Sequence, residues 1–497
     1  MTAKKLLMLA IDAGDIEFIK SFLADLPTLR RVFEEGTYFP LESTAEYTSA
    51  SVWPSFYTGQ MPGEHGVSQH IQWDPQAMRM RRLSSDWFYC EPFWYDLVRD
   101  GLKVCAVDVP FTYPSRLKNG AEIINWGSHD LMGRFEGTPC QLGREIRRRF
   151  GKHPMGYEIP VNKSTDEVQM LCKQLRTGAQ LKGKLLKWMV ENVEWDFFLG
   201  VFGECHRGGH ILWPNPDDPE TVVPDGALLD VYRRVDAGLG EILDGINTAN
   251  TSVMVFSLHG MRSNFSQEHF TRRIMDRING RFMADSNDES QASPTSPKPQ
   301  SGLIRKLRES IPAKLQFAVA RSVPVGVRDW VVGREVTGGV DWARTRGIAL
   351  RSDVHSFVRF NIAGRERDGI LIEGSDEHRI YKEWVVKNFM ALRERGTDAP
   401  VVKDVLPAHE LLPGARCELL PDLIIRWAHR RRATTIYSDQ LGEIVAEPES
   451  GRTGEHRTNG FAVLLDQNGS IDRLPPLSHN THFPGFVQHL LNRAETR

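Results

Sequence analysis

At 497 residues the chain has material for two to four domains, or for one large α/β core carrying insertions. Forty per cent hydrophobic residues with a quarter charged is ordinary globular composition, and a net charge of −2 gives no global pull toward nucleic acid or an anionic membrane. The six cysteines are scattered without a C-x-x-C pair, which leaves neither a disulfide framework nor a thiolate zinc site.

In chain order, "KLLMLAID" (5–12) is a buried strand rather than a signal peptide, because its apolar run is short and gives way to Asp12 and Asp15. "IEFIKSFLADLPTLRRVFEEG" (16–36) has helical periodicity that stops at Gly36. After the helical "FWYDLVRDG", "KVCAVDVP" (103–110) is a second strand. "LKGKLLKWMVENV" then reads as a helix, "WDFFLGVFGE" as a strand, "DVYRRVDAGLGEILDGI" as a helix and "TSVMVFSLHG" as a strand. This alternation predicts an α/β fold: a mostly parallel central sheet with helices on both faces. Function in such sheets gathers at the carboxyl ends of strands. Asp12, the segment 203–210 and His259 all stand at such ends.

The composition breaks at "ADSNDESQASPTSPKPQSG" (284–302), which reads as a flexible surface insertion. Residues 303–336 set basic side chains around apolar ones, as solvated amphipathic helices do. From about 340 the α/β character returns, with "HSFVRFNIA" and "LPDLIIRW" as strands. The expected organisation is a discontinuous catalytic core, 1–280 and 340–497, with cap material at roughly 68–180 and an insertion at 281–339. No stretch approaches the roughly 20 apolar residues of a bilayer span, so a cytoplasmic location is expected.

Several residue types could carry chemistry. "ECHRGGH" places His206 and His210 four apart, on one face if the segment is helical. Among sixteen histidines such a pair is close to chance, but it directly follows an apolar strand. His456, in the Gly-rich "GRTGEHRTNG", and the strand-ending His259 are further candidates. Three neutral imidazoles with an open fourth position would make a catalytic zinc site. In "YTSASVWPSFYTGQMPGEHGV" (47–67), Thr48, Ser49 and Ser51 are candidate nucleophiles that need a base or a metal to lower the hydroxyl pKa. The same residues also suit a capped helix start. His65 and His129 read as packed or hydrogen-bonded loop histidines, and Cys205 as a small buried hydrophobe.

Together these segments resemble the alkaline phosphatase superfamily, in its type I phosphodiesterase/nucleotide pyrophosphatase branch. The likeness is carried by "LLMLAIDAGD", by Ser49 nine residues ahead of the Thr-Gly of "YTGQMPGEHGV", and by "FGECHRGGHILW", "VMVFSLHGM", "PDLIIRW" and "TGEHRTNG", in that order. The resemblance implies the alkaline phosphatase-like fold with inserted cap segments. It also implies a metal-dependent hydrolase that cleaves phosphodiester or pyrophosphate bonds through a seryl-phosphate at Ser49. One metal would be held by Asp12, Ser49 and His259, the other by His206, His210 and His456, with one or two zinc ions or another divalent metal as cofactor.

The chain departs from the family at two ligand positions, where Leu258 and His206 replace aspartates. His206 still ligates zinc; Leu258 ligates nothing. The loss of two formal negative charges favours a small anionic phosphorylated substrate, and no duplex nucleic acid is expected as a partner. Asp15 and Glu204 are nearby acids, each read as solvated or hydrogen-bonded. The alternatives are a phospho- or sulfo-transferase or monoesterase of the same superfamily, or a catalytically degenerate metal-binding scaffold.

Overall fold

The computed structural model describes residues 5–114, 117–129, 133–155, 164–214, 223–285, 340–350, 354–428, 431–448, 451–466 and 474–492, with isolated positions between 327 and 352. The insertion expected at 284–302 and the basic helices expected at 303–336 lie almost wholly outside the described residues.

The first strand, β1 (Lys5–Ile11), leads through Asp12 into helix α1 (Ile16–Ser21). Helix α2 (Pro27–Glu35) follows, and the single helix read over 16–36 is broken because Pro27 begins a new one. Strand β2 (Thr37–Leu41) and helix α3 (Val52–Thr58) precede β3 (Val104–Val107), β4 (Gly120–Ile124) and β5 (Glu136–Thr138). Then come helix α4 (Thr165–Asn192), strand β6 (Phe197–Phe202), helices α5 (Glu204–Leu212) and α6 (Ala227–Leu243), and strands β7 (Thr251–Ser257) and β8 (Gly260–Ser263). Near the C-terminus lie β9 (Gly454–Arg457), β10 (Gly460–Leu465) and helix α7 (Phe483–Asn492).

Eight strands form the central sheet in the order β2-β10-β7-β1-β6-β3-β4-β5. The five strands from β7 to β4 run parallel, while β10, β2 and β5 add antiparallel edges. Side chains alternate across β1: Leu7, Leu9 and Ile11 pack with Leu186 of α4 and Leu239 of α6. Leu6, Met8 and Ala10 pack with Phe56 of α3 and Leu490 of α7 on the opposite face. With helices on both faces, these central strands are buried apart from the half-buried Lys5 and carry runs of apolar residues.

Two expectations about organisation need correction. Residues 104–138, assigned to cap material, supply three strands of the central sheet. The strands expected to rejoin the core after 340 instead form a separate four-stranded antiparallel sheet, with Ser356–Phe360 between Gly347–Leu350 and Leu423–Trp427. That sheet has its own apolar core with helices Thr271–Asp285 and Asp376–Met390. Among the described residues after 340, the segment from Gly454 onward returns to the central sheet and the site beside it. Among the described residues, no helix is long and apolar enough to cross a membrane.

Candidate active site

Three adjacent parallel strands, β7, β1 and β6, end at one edge of the sheet and deliver their following residues to one place. Asp12 follows β1, and its backbone N–H is held by the Phe202 carbonyl at the end of β6. The next residue, Ala13, takes a φ of 51°, a left-handed turn uncommon for a residue with a side chain. His259 follows β7, and α5 starts directly after β6. Every residue of α5 is buried, and its 3.6-residue period puts His206 and His210 on one face. The antiparallel pair β8–β9 sets His456 opposite Met261 and so returns the C-terminal segment to the same place.

The imidazoles meet closely. His206 Nε2 lies 3.1 Å from His210 Nε2 and 3.1 Å from His456 Nε2. His210 Nδ1 is 2.9 Å from the Gly454 carbonyl oxygen, so its proton belongs there and its lone pair faces the other two rings. As hydrogen bonds the two short Nε2 contacts conflict, because His210 Nε2 carries a lone pair and His206 Nε2, with either one proton or one lone pair, would have to serve both neighbours. As ligands, all three lone pairs have one destination. Zinc ligands about 2.0–2.1 Å from the ion stand about 3.3 Å apart in a tetrahedral array, close to the spacing seen. Burial holds His456 well below its ordinary range, with His206 and His210 adding to the effect, so the ring is neutral as a ligand requires. An all-imidazole set suits zinc.

Asp12 faces the same cluster. Trp53 Nε1 donates to Oδ1 at 2.9 Å, and His129 Nδ1 and His206 Nδ1 stand 2.9 and 3.0 Å from Oδ2. Burial pushes the Asp12 carboxyl up, but the adjacent His206 and His129 rings outweigh it and hold it well below the carboxylate range. Asp12, His206 and His259 also lie close enough to form a second ligand group. His259 is buried, and neither of its ring nitrogens has a hydrogen-bond partner among the described residues. Burial lowers its pKa to about 3. A polar ring left unpaired in the interior fits a ligand or substrate contact.

Of the three hydroxyls in the 48–51 segment, two are committed elsewhere. Ser51 Oγ lies 2.6 Å from both Thr44 Oγ1 and Thr48 Oγ1, all buried. Ser49 instead lines the pocket together with His129, His206, His210, His259 and His456. Its segment is tied down through Glu46, which pairs with Arg426 at 2.9 Å and accepts from Thr458 Oγ1 at 3.3 Å.

The nearby acids are engaged. Asp15 pairs with Arg457 at 2.6 Å and caps α1 at the Phe18 N–H, 2.8 Å away. Glu204 lies 2.9 Å from His153 Nε2. His65 is packed and bonded to Ser55 Oγ at 3.0 Å, and Cys205 is buried in the core, both as read from sequence. His129, expected as a packed or hydrogen-bonded loop histidine, is packed within the site itself: it contacts Asp12 and stacks on His206, with ring centroids 3.7 Å apart. It is positioned by a buried polar group that local sequence does not announce. Asp108, at the end of β3, accepts the Trp126 and Gly127 N–H groups at 2.7 and 2.8 Å and pairs with fully buried Lys182. Trp53, the donor to Asp12, looks from its apolar surroundings like a core residue only.

A sequence profile of the type I phosphodiesterase/nucleotide pyrophosphatase family matches residues 6–315. The solved structure of murine ectonucleotide pyrophosphatase/phosphodiesterase 5, an inactive form in complex with AMP, is similar at 11% identity and a TM-score of 0.47. That alignment covers 98% of this chain and 95% of the murine one. No curated protein matches the chain.

Proposed function

We propose, for a chain that belongs to the type I phosphodiesterase/nucleotide pyrophosphatase family, that it hydrolyses a phosphodiester or pyrophosphate bond with Ser49 as nucleophile. A divalent metal, zinc by its donor set, would be held by His206, His210 and His456. When bound, such an ion supplies positive charge to phosphoryl oxygens and so stabilises the transition state.

Support comes from one observation: Ser49 lines the pocket where the unpaired His259 and the three converging imidazoles lie. In the first step Ser49 Oγ attacks phosphorus in line. The P–Oγ bond forms as the Ser49 O–H bond and the bond to the leaving alcohol or phosphate break, and the leaving oxygen keeps the electron pair and ends with the serine proton. Water then attacks the phosphoseryl group and returns the serine hydroxyl. His259, neutral near pH 7, offers a ring N–H to a phosphoryl oxygen. Asp12 holds His206 and His129 in place around that centre. The buried apolar wall of Trp53 and Phe111 limits water on one side of the pocket.

A second reading, binding without turnover, rests on Leu258, which removes a ligand position of the family pattern. Turnover of bis(p-nitrophenyl) phosphate and of a dinucleoside pyrophosphate by zinc-loaded protein separates the two. Hydrolysis that Ser49→Ala abolishes supports catalysis. Tight product binding with no turnover of either compound supports the second reading.

A further inference from the structure

We infer that this chain holds a single metal ion where the family pattern provides for two, and that Asp12 serves that ion by orienting His206 instead of ligating a second one. The inference rests on the proposed metal at His206, His210 and His456.

Among the described residues the side chains could form two ligand groups, and these share one member, His206. A neutral imidazole has one in-plane lone pair and one N–H. The geometry assigns them: Nε2 faces the Nε2 atoms of His210 and His456 at 3.1 Å, and Nδ1 faces the Asp12 Oδ2 at 3.0 Å. With the lone pair directed to the histidine cluster, the proton is at Nδ1, the nitrogen that stands 3.0 Å from the Asp12 carboxylate. This is the arrangement in which a second-shell acid fixes the tautomer and ring angle of a metal-ligating histidine. Filling the other group at the same time would require the same ring to give up that proton.

Three further observations agree. Asp12 is already a point of convergence, with Trp53 Nε1 on one oxygen and His129 Nδ1 beside His206 Nδ1 on the other. Leu258 packs, 1% exposed, in an apolar core with Ala50, Trp53 and Phe256, so a cation there would meet hydrocarbon where the family supplies a carboxylate. Among the described residues the two nearby acids are engaged: Asp15 is paired with Arg457 and Glu204 with His153. The departures at 206 and 258 therefore belong together. His206 completes a three-imidazole site that needs no aspartate ligand, and Asp12, released from a second ion, becomes the acid behind it. His259 is left to the substrate, with neither ring nitrogen hydrogen-bonded among the described residues.

The test is metal content by mass spectrometry on full-length protein stripped and reloaded with Zn²⁺, with the Co²⁺ absorption spectrum as a second readout. One ion per chain is expected. Two ions per chain would overturn this inference while leaving the proposed function standing; none would overturn both. Asp12→Asn should still bind one ion, about 10–100-fold more weakly, with a shifted Co²⁺ spectrum. His259→Gln should bind one ion with affinity near that of the parent, whereas His210→Gln should bind none. Complete loss of the ion in folded Asp12→Asn, or in folded His259→Gln, would make that residue a ligand and overturn the inference. Circular dichroism of each variant shows whether it is folded.

Discussion

The Nε2 atoms of His206 and His456 stand 3.1 Å apart although 250 residues separate them along the chain. The contact depends on how tightly β9 lies against α5. A Cβ placed on Gly454 would come within 2.1 Å of the Gly209 carbonyl oxygen, and the Gly454 carbonyl is itself the acceptor for His210 Nδ1. Gly454→Ala should therefore cost about 1–3 kcal/mol of stability and weaken metal binding by about 10–100-fold. Denaturant titration and metal competition with a chelator check the two effects. Unchanged metal affinity would mean that the β9–α5 contact does not set the histidine geometry.

Ser49→Ala should lower turnover by more than about 10³-fold. Metal content and thermal stability should stay at the parent level, because the Ser49 hydroxyl is not part of the hydrogen-bonded Thr44–Thr48–Ser51 cluster. Ser51→Ala should do the reverse, costing stability through a buried hydroxyl network while sparing much of the activity. Equal losses of activity in the two variants would remove the distinction between them.

Lys182 and Asp108 form a fully buried ion pair behind the loop that carries His129. Lys182→Met leaves the carboxylate in the interior with backbone donors only, at a cost of about 3–5 kcal/mol. Adding Asp108→Asn to that variant should recover part of the loss, since the uncompensated charge is then gone. Urea unfolding of the parent, the single and the double variant measures this. A double variant less stable than the single one would contradict the account.

One source of acid sensitivity is His65. Burial, helped by Arg416, lowers its pKa from 6.5 to about 3. The unfolded chain takes up a proton near 6.5 and the folded one does not until about 3, so this contribution is full above 6.5 and is lost as pH falls toward 3. At pH 5 the loss is about 2 kcal/mol. His65→Gln should shrink the stability difference between pH 7 and pH 5 by about that amount, measured by urea unfolding at both. An unchanged difference would place the sensitivity elsewhere.

Four of the five parallel strands were legible because burial on both faces gives them apolar runs, as in Phe197–Phe202 and the Val253–Phe256 stretch of Thr251–Ser257. The same pattern brought Asp12, His206 and His259 to strand ends, where the structure gathers them. Short strands without such runs, Gly120–Ile124 and Glu136–Thr138, left no comparable signal and were absorbed into expected cap. "HSFVRFNIA" and "LPDLIIRW" were recognisable as strands, but their period says nothing about which sheet they join. His129 was illegible for a different reason. Its position depends on Asp108 and Lys182, 74 residues apart, and no local spacing records that pairing.

The most direct test of catalysis is to trap the intermediate. Zinc-loaded protein is mixed with a phosphodiester in single-turnover amounts, quenched in acid within milliseconds, and its peptides are analysed by mass spectrometry. The account predicts a phosphoryl ester on the peptide spanning Ser49, absent in Ser49→Ala. Turnover in the parent with no modification of that peptide at any quench time would contradict it.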